Sequence, residues 1–351
     1  MPREYGGKRV LVTGGASFIG SHLVDRLCQL GAEVTVLDNL SSGRLENLSQ
    51  SPDAKFLKLD LQYSPDEELR RAFRGKDQVF HLAAVHGGRG YIDTHPADVV
   101  ANFSIDHHVF ELARREDVSH VAFASSACVY PPRLQGDVGS DYRLTESDAD
   151  LSDLRQPLSA DLEYGWAKLM GEMQLRAFVR QYGTKGVSLR FVTAYGEREN
   201  ETHAIIALIY KAFQKMDPFE IWGDGEQSRD FTYVSDIVEG SLLAARKVSD
   251  GSAINLGTGV RYSLNTVAQA IFDTLGFHPR VRYDGEKPTG VANRALDITR
   301  AAKLLGWHPQ VGLQEGLRRT VDWYRQTHRF VGRIDPRVLM ERIDLPVAIA
   351  Q

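Results

Sequence analysis

Short apolar runs alternate with longer amphipathic segments through the first half of the chain, a pattern typical of strands followed by helices. The apolar runs are continuous, as expected for strands of a parallel sheet that is covered on both faces. Strands are predicted at 9–13, 33–38, 55–61, 78–84, 120–126 and 187–196. Helices are predicted at 21–31, 66–73, 97–116 and 163–183. This order predicts an α/β fold with a doubly wound parallel sheet.

The composition of the 351-residue chain excludes several classes of protein. Its 42 Lys and Arg against 46 Asp and Glu give a net charge of −4, which provides no basic surface for nucleic acid. No apolar run approaches the ~20 residues that span a bilayer, and the first strand begins too early for a signal peptide. Two cysteines, Cys28 and Cys128, cannot form a disulfide framework, so we expect a reducing, cytoplasmic location. No metal is expected, because the histidines lack ligand spacing; they include His81, His86, His95, His107 and His108.

The glycine-rich segment Thr13–Gly20 joins the first predicted strand to the first predicted helix. Glycine lets the backbone turn tightly there and lets a pyrophosphate approach the N–H groups at the helix start. Asp38, at the end of the second strand, suits the ribose hydroxyls and would repel a 2′-phosphate, which predicts NAD in a Rossmann-type sheet. The predicted cofactor contacts are Gly14, Ser17, Phe18, Ile19, Gly20, Asp38, Asn39, Asp60, Leu61, Leu82, Ala83, Ala84, Tyr164 and Lys168.

Tyr164 and Lys168 are four residues apart on a predicted helix, so both side chains project from one face. A lysine ammonium there lowers the pKa of the tyrosine and holds the nicotinamide ribose. Tyr164 then takes the proton from a sugar hydroxyl while hydride leaves the carbon. Ser126, at the end of a predicted strand, is expected to donate a hydrogen bond to the same oxygen.

With these motifs, residues 8–325 resemble the extended short-chain dehydrogenase/reductase family, which contains the nucleotide-sugar epimerases and dehydratases. One departure is Ser17, at a position where that family usually has the middle glycine of its loop. The resemblance implies an enzyme that binds a nucleotide diphosphate sugar. It also implies a homodimer that pairs through helices 97–116 and 163–183, since members of this fold commonly form such a four-helix bundle.

The sequence also predicts how the chain divides into domains. We expect residues 1–196, with a returning segment at about 232–258, to form the NAD-binding domain. After residue 197 the regular alternation weakens, and residues 197–231 and 259–330 are expected to form a smaller α/β substrate-binding domain. Residues 331–351 are expected to be a C-terminal extension.

Cys128 stands where related enzymes usually carry threonine, and the runs 82–92, 125–131 and 222–236 resemble the GDP-mannose 3,5-epimerases. GDP-fucose synthases are similar around Cys128 and His203, and the resemblance implies that these two residues are the acid and the base. The GDP-mannose enzymes have a lysine in the His203 loop, and this chain has none there. Cys128 as a small buried apolar residue and His203 as a partner of Glu201 remain alternatives.

Substrate contacts are predicted at the carboxyl edge of the sheet, where ligands of such folds bind. Gly87, Gly88 and Arg89 follow the fourth strand, and Arg229 and Arg294 are suited to a diphosphate because guanidinium groups match phosphate oxygens. For Arg294 a surface salt bridge is an equally good interpretation. The remaining predicted contacts are Ser126, Cys128, Asn200, His203 and Trp222, of which Trp222 is also compatible with simple packing.

The leading hypothesis is an NAD-dependent nucleotide-sugar epimerase that oxidises C4, exchanges protons at C3 and C5, and reduces C4 again. The alternative is a UDP-sugar 4-epimerase, in which Cys128 and His203 only line the pocket. A 4,6-dehydratase is disfavoured because Ala127-Cys128-Val129 replaces the Asp-Glu pair of those enzymes. An inactive NAD-binding protein is disfavoured because Ser126, Tyr164 and Lys168 are intact.

Overall fold

The computed structural model describes residues 4–150, 152–153 and 158–327. Its strands are β1 (Arg9–Thr13), β2 (Glu33–Asp38), β3 (Lys55–Lys58), β4 (Gln78–His81), β5 (His120–Ser126), β6 (Lys185–Phe191), β7 (Thr193–Tyr195), β8 (Phe219–Trp222), β9 (Ser228–Arg229), β10 (Phe231–Tyr233), β11 (Asp250–Leu256), β12 (Tyr262–Ser263), β13 (Val281–Asp284) and β14 (Asn293–Arg294). Its helices are α1 (Phe18–Gln29), α2 (Asp66–Phe73), α3 (Arg89–Thr94), α4 (Pro96–Val99), α5 (Asn102–Arg115), α6 (Leu162–Tyr182), α7 (Ala204–Phe213), α8 (Val234–Lys247), α9 (Leu264–Leu275), α10 (Thr299–Leu305) and α11 (Leu313–Thr327).

The main sheet has seven parallel strands in the order β11-β6-β5-β4-β1-β2-β3. Apolar side chains of α1 and α8 cover one face, and those of α2, α5 and α6 cover the other. The predicted α/β class with a Rossmann-type sheet is therefore confirmed. The strand order reverses between β1 and β4, and the crevice at their carboxyl ends is where ligands bind in such sheets.

A smaller unit lies beside the carboxyl edge of the sheet. Helices α7, α9 and α11 share an apolar core with β8 and β10, and β13 pairs with β8. Three two-residue strands form a separate sheet in the order β12-β9-β14, in which Arg294 is in register with Arg229. Two arginines that are distant in sequence therefore lie on adjacent strands.

The prediction of one helix over 97–116 is wrong, because the structure has α4 and α5 with a break between them. Pro96 lies in the first turn of α4. The buried Asn102 side chain donates to the carbonyls of Val85 and Val99 and accepts from the N–H of Val85. These bonds compete with a continuous helix and attach the start of α5 to the chain after β4.

Several predicted ends also differ from the structure. Helix α1 begins at Phe18, three residues before the predicted start. The strands predicted at 55–61 and 78–84 end at Lys58 and His81, because the chain then turns away from its neighbours. The run 187–196 contains two strands, β6 and β7. The predicted extension 331–351 lies outside the described residues. Within the described ranges, no helix has the length and apolar character that a membrane crossing requires.

Helix α6 is attached to the sheet by a buried ion pair. Glu172 of α6 and Arg190 of β6 are 2.8 Å apart, and Arg190 is only 2% exposed. Ser125 of β5 donates to the same carboxylate at 2.5 Å. Arg190 also donates to the Tyr130 hydroxyl and to the carbonyls of Glu146 and Ala149. Each charged atom is therefore bonded, as burial requires.

We predict that Glu172→Gln will strongly destabilise the fold. The substitution leaves the buried Arg190 guanidinium without a compensating charge, which typically costs about 3–5 kcal/mol. Urea unfolding followed by circular dichroism measures the loss. Glu315→Gln is the matched control, because Glu315 pairs with Arg318 on the exposed face of α11 and should leave the midpoint nearly unchanged. Equal midpoints for the two variants would contradict the prediction.

Candidate active site

The turn from β1 into α1 is a cradle in which added side chains do not fit. Gly14 has φ +70°, and a Cβ there would lie 2.7 Å from the backbone nitrogen of Ala83. A Cβ on Gly20 would collide with the carbonyl of Gly14. Ser17 occupies the N-cap position of α1 in an extended conformation, and its hydroxyl donates to the Gly14 carbonyl at 2.5 Å instead of accepting from the helix N–H groups. The Ser17 hydroxyl therefore links the two ends of the loop. The N-terminus of α1, with Phe18 and Ile19 in its first turn, is suited to binding an anion.

Asp38 ends β2 beside this loop and is buried. Its carboxylate accepts from the N–H groups of Ala16 at 3.0 Å and Leu40 at 2.8 Å. Burial raises the pKa of Asp38, and these two hydrogen bonds oppose the shift. A Cβ on Gly43 would lie 2.8 Å from the same carboxylate. The glycine cradle and the adjacent acid together fit a dinucleotide with free ribose hydroxyls.

Other predicted cofactor residues flank the same crevice. Asn39 donates to Asp60 at 2.7 Å, which joins the chain ends that follow β2 and β3. Leu61, next to Asp60, is buried. The segment Leu82–Ala84 leaves β4 across from the glycine loop, and the N–H of Ala83 donates to the Thr13 hydroxyl at 3.3 Å. These residues surround the crevice at the strand reversal.

Tyr164 and Lys168 lie on the face of α6 that is directed at the sheet. Lys168 is 2% exposed, and its ammonium lies 5.9 Å from the centre of the Tyr164 ring and 4.8 Å from that of Phe123. In the described part of the chain this ammonium has no hydrogen bond and no ion pair. Burial lowers the pKa of Lys168 and raises that of Tyr164. A buried cation without a partner is suited to the hydroxyls and charge of a bound cofactor.

Ser126 and Cys128 lie where β5 ends in a short turn. The Ser126 hydroxyl accepts from the N–H of Cys128 at 3.1 Å. A Cβ on Gly165 would collide with the Cys128 carbonyl, so glycine allows α6 to approach this turn. Arg294 donates to the Cys128 sulfur at 3.4 Å, so the thiol lies beside a fixed positive charge. Cys128 is partly buried, in contact with Arg294 and with the N-terminal turn of α6.

Three arginines meet beside Cys128. Asp161 pairs with Arg89 at 2.9 Å and with Arg294 at 2.8 Å. Arg294 is buried and also donates to Gln135 at 2.6 Å, so its nitrogens are all used within the protein. Arg229 donates only to the carbonyls of Ser228 and Thr289 within the described ranges. Burial, followed by the charge of Arg294, lowers the pKa of Arg229 to about 9. Arg229 is therefore the uncompensated cation of the cluster.

His203 lies across the cleft at the start of α7. Its Nδ1 is 3.1 Å from the buried carboxylate of Glu199, so its partner is Glu199 in addition to any contact with Glu201. Burial raises the pKa of Glu199, and His203 opposes the shift. The His86 and His203 rings are 6.1 Å apart. A Cβ on Gly88 would lie 2.5 Å from the Thr202 carbonyl, so the segment from His86 to Arg89 runs from the His203 loop to the arginine cluster.

The other predicted substrate residues have less distinctive surroundings. Gly87 packs on Tyr91, where a Cβ would lie 2.7 Å from the tyrosine Cβ. Asn200 is exposed and accepts from the N–H of Thr202. Trp222 donates to Glu220 at 3.3 Å, and Lys287 lies over its ring.

Two residues of the site were not identified from the sequence. Asp161 follows a polar stretch without any motif, and only the folded chain joins it to Arg89 and Arg294. His86 belongs to no motif, although its place directly before Gly87-Gly88, just after a predicted strand, is a usable signal. Both residues line the cleft through contacts that join distant segments.

Comparison with known proteins identifies the family of this chain. A profile of the NAD dependent epimerase/dehydratase family matches residues 10–257. A UDP-glucose 4-epimerase of Mycolicibacterium smegmatis is 31% identical over 90% of this chain and 98% of its own length. A GDP-mannose 3,5-epimerase of Oryza sativa is 32% identical over 91% of this chain and 82% of its own length.

A solved structure gives the same result for the fold. The UDP-glucose 4-epimerase of Thermotoga maritima with UDP-glucose superposes with a TM-score of 0.81 at 32% identity, covering 91% of this chain and 99% of that chain. The family profile covers the glycine loop, Asp38 and the Tyr164–Lys168 pair. This chain therefore belongs to the NAD dependent epimerase/dehydratase family.

Proposed function

We propose that the protein is an NAD-dependent nucleotide-sugar 4-epimerase whose substrate is a UDP-sugar. The proposal rests mainly on Tyr164, whose ring lies beside the buried and unpartnered Lys168 at the cofactor crevice. The UDP-glucose 4-epimerases among its relatives match nearly their whole length, which favours this reaction over the 3,5-epimerisation that local motifs suggest. When bound, NAD supplies the acceptor, and afterwards the donor, of the hydride at the sugar C4.

In this proposal Tyr164 moves the proton of the sugar C4 hydroxyl. The Lys168 ammonium favours the tyrosinate form electrostatically, while burial opposes it. Ser126 donates a hydrogen bond to the same sugar oxygen and orients it. The 4-keto sugar then rotates in the pocket so that its other face is presented. Tyr164 returns the proton to the C4 oxygen as the opposite C4 configuration forms. None of these steps removes a proton from C3 or C5.

Arg229 is the proposed ligand of the substrate diphosphate. It is a cation without a carboxylate partner in the described ranges. The neighbouring Arg89 and Arg294 both pair with Asp161, and Arg89 pairs with Asp93 as well. A diphosphate supplies the missing negative charge in a bidentate geometry that guanidinium groups favour. Arg294 has its nitrogens engaged, so we assign it the role of fixing Cys128 and Asp161, and the diphosphate falls mainly to Arg229.

A second candidate is epimerisation at C3 and C5. The contact of Arg294 with the Cys128 sulfur favours it, because it holds a thiol in a fixed place beside the cleft, where a proton on a sugar carbon could be exchanged. His203, held by Glu199, is the proposed opposite acid. The GDP-mannose 3,5-epimerase relative supports the same reading.

We also propose that the protein is a homodimer that pairs through α5 and α6. Both helices expose large apolar side chains, among them Phe103, Trp166 and Met173. Two copies that pack these faces against each other would bury them in a four-helix arrangement.

Tyr164→Phe should reduce the interconversion of UDP-glucose and UDP-galactose by ~10²–10⁴-fold, because the positioned acid/base is lost. Tyr182→Phe is the matched control, since Tyr182 is an exposed tyrosine at the end of the same helix. A coupled assay of UDP-glucose formation measures both variants. Retention of full activity by Tyr164→Phe would refute the proposed role.

Solvent labelling separates the two candidate reactions. A 4-epimerase should place no deuterium on C3 or C5 when turnover occurs in heavy water. The variants Cys128→Ala and His203→Ala should likewise give an unlabelled sugar. Mass spectrometry of the recovered nucleotide sugar is the measurement, with Cys28→Ala as the matched thiol control. Deuterium on carbon that disappears in the Cys128 and His203 variants would show that the second candidate is correct.

The dimer proposal is tested by light scattering on the purified protein. We expect twice the chain mass at micromolar concentration, and the monomer mass for Met173→Glu, because a charge on this face prevents its burial. Leu304→Glu is the control, since Leu304 is exposed on α10. A monomer mass for the unmodified protein would contradict the proposal.

A further inference from the structure

A buried chain of polar groups lies behind Lys168. The His81 ring at the end of β4 joins the Thr13 hydroxyl at 2.8 Å through Nδ1 and Asp106 of α5 at 3.1 Å through Nε2. Neither His81 nor Asp106 has an accessible side chain. Burial lowers the pKa of His81, which keeps the ring neutral. When the neutral ring accepts a hydrogen bond from the Thr13 hydroxyl at Nδ1, its proton is on Nε2, and this N–H donates a hydrogen bond to Asp106.

The second oxygen of Asp106 has no hydrogen-bond partner among the described residues. It faces α6 at Gly171, where a Cβ would lie 2.7 Å from this oxygen and 2.5 Å from Cζ of Phe123. Lys168 is one helical turn before Gly171, and its ammonium lies over the same Phe123 ring at 4.8 Å. The unsatisfied oxygen and the Phe123 ring therefore both lie against α6 at Gly171, and the lysine ammonium lies over that ring.

The charges of Asp106 and Lys168 give this arrangement a physical role. A buried ammonium is destabilised unless an anion lies nearby. Burial lowers the pKa of Lys168, and the charge of Asp106 opposes this shift. Asp106 also raises the pKa of Tyr164. A carboxylate buried without a full set of partners is itself destabilising, so its presence here calls for a functional reason.

We propose that Asp106 is a positioning residue: oriented by His81, its carboxylate is the counter-charge that keeps Lys168 protonated beside Tyr164. The role of Lys168 in proton transfer rests on the function proposed above, whereas the pairing of the two charges is independent of it. Asp106 does not reach the reacting atoms and acts through Lys168.

Other titratable groups face the same region. His81 is neutral, and His86 after β4 is an exposed side chain whose ring lies 6.1 Å from that of His203. Cys128 lies beyond Tyr164 and raises its pKa. Glu172, one turn along α6 from Lys168, is already paired with Arg190. Among these groups Asp106 is the anion that remains for Lys168.

The first test compares the pH dependence of turnover in the unmodified protein and in Asp106→Asn. Asparagine still accepts from His81 but carries no charge. The pKa of Lys168 should fall, so the alkaline limb of the profile should move to lower pH by about one unit. The acid limb, set by Tyr164, should move in the same direction, because Asp106 raises the pKa of the tyrosine. A purely structural role would lower the amplitude and leave both limbs in place.

His81→Gln is the matched control, since glutamine can donate to Asp106 and the carboxylate stays. Its limbs should remain where they are in the unmodified protein. A shift in His81→Gln equal to that in Asp106→Asn would assign the effect to the histidine and overturn the proposal.

The second test does not depend on activity. A double-mutant cycle combines Asp106→Asn with Lys168→Met, and urea unfolding gives the midpoint of each protein. Asp106→Asn should lower the midpoint clearly when Lys168 is present and much less in the Lys168→Met background. Asp106→Ser replaces Asp106→Asn if the latter does not fold. Additive effects would overturn the inference, whereas coupling in a protein that turns over no nucleotide sugar would refute only the proposed function.

Discussion

The buried ion pair between Glu172 and Arg190 is the contact on which the arrangement of the site depends. It joins α6 to β6, and the hydroxyl of Ser125 extends it to β5. The neighbouring Ser126 and the turn at Cys128 are thereby fixed relative to the helix that carries Tyr164 and Lys168. A pair of this kind contributes little net stability but is costly to break, so it defines one position of α6 on the sheet.

The cleft contains cations that are not bonded to any carboxylate of the described residues. Lys168 and Arg229 have no carboxylate within bonding distance in the described ranges, whereas Asp161 pairs with both Arg89 and Arg294, and Arg89 also pairs with Asp93. Each buried cation costs free energy until an anion or a dense set of hydroxyls replaces water around it. Under the proposed function, the ribose hydroxyls of NAD beside Lys168 and a sugar diphosphate beside Arg229 would supply these groups.

The parts of the site that follow from local sequence could be predicted. The loop Thr13–Gly20, Asp38 and the four-residue spacing of Tyr164 and Lys168 depend on contiguous residues and on the geometry of one turn or one helix. Contacts between distant segments could not. The ion pairs of Asp161 bring together Arg89 and Arg294, which are distant in sequence, and the role of Asn102 in ending α4 depends on the backbone of Val85. Apolar periodicity alone predicted a single helix there, because it carries no information about side-chain bonds to the backbone.

The edge strand β11 has a consequence for how the protein is made. It completes the nucleotide-binding sheet by pairing with β6, yet the chain between these two strands includes α7 and β8 of the smaller unit. During synthesis β6 therefore emerges from the ribosome with one open edge and keeps it until residues 250–256 follow. An open edge readily pairs with strands of other chains. A nascent chain stalled before β11 is thus exposed to aggregation, and truncation there removes a sheet neighbour instead of a separate domain.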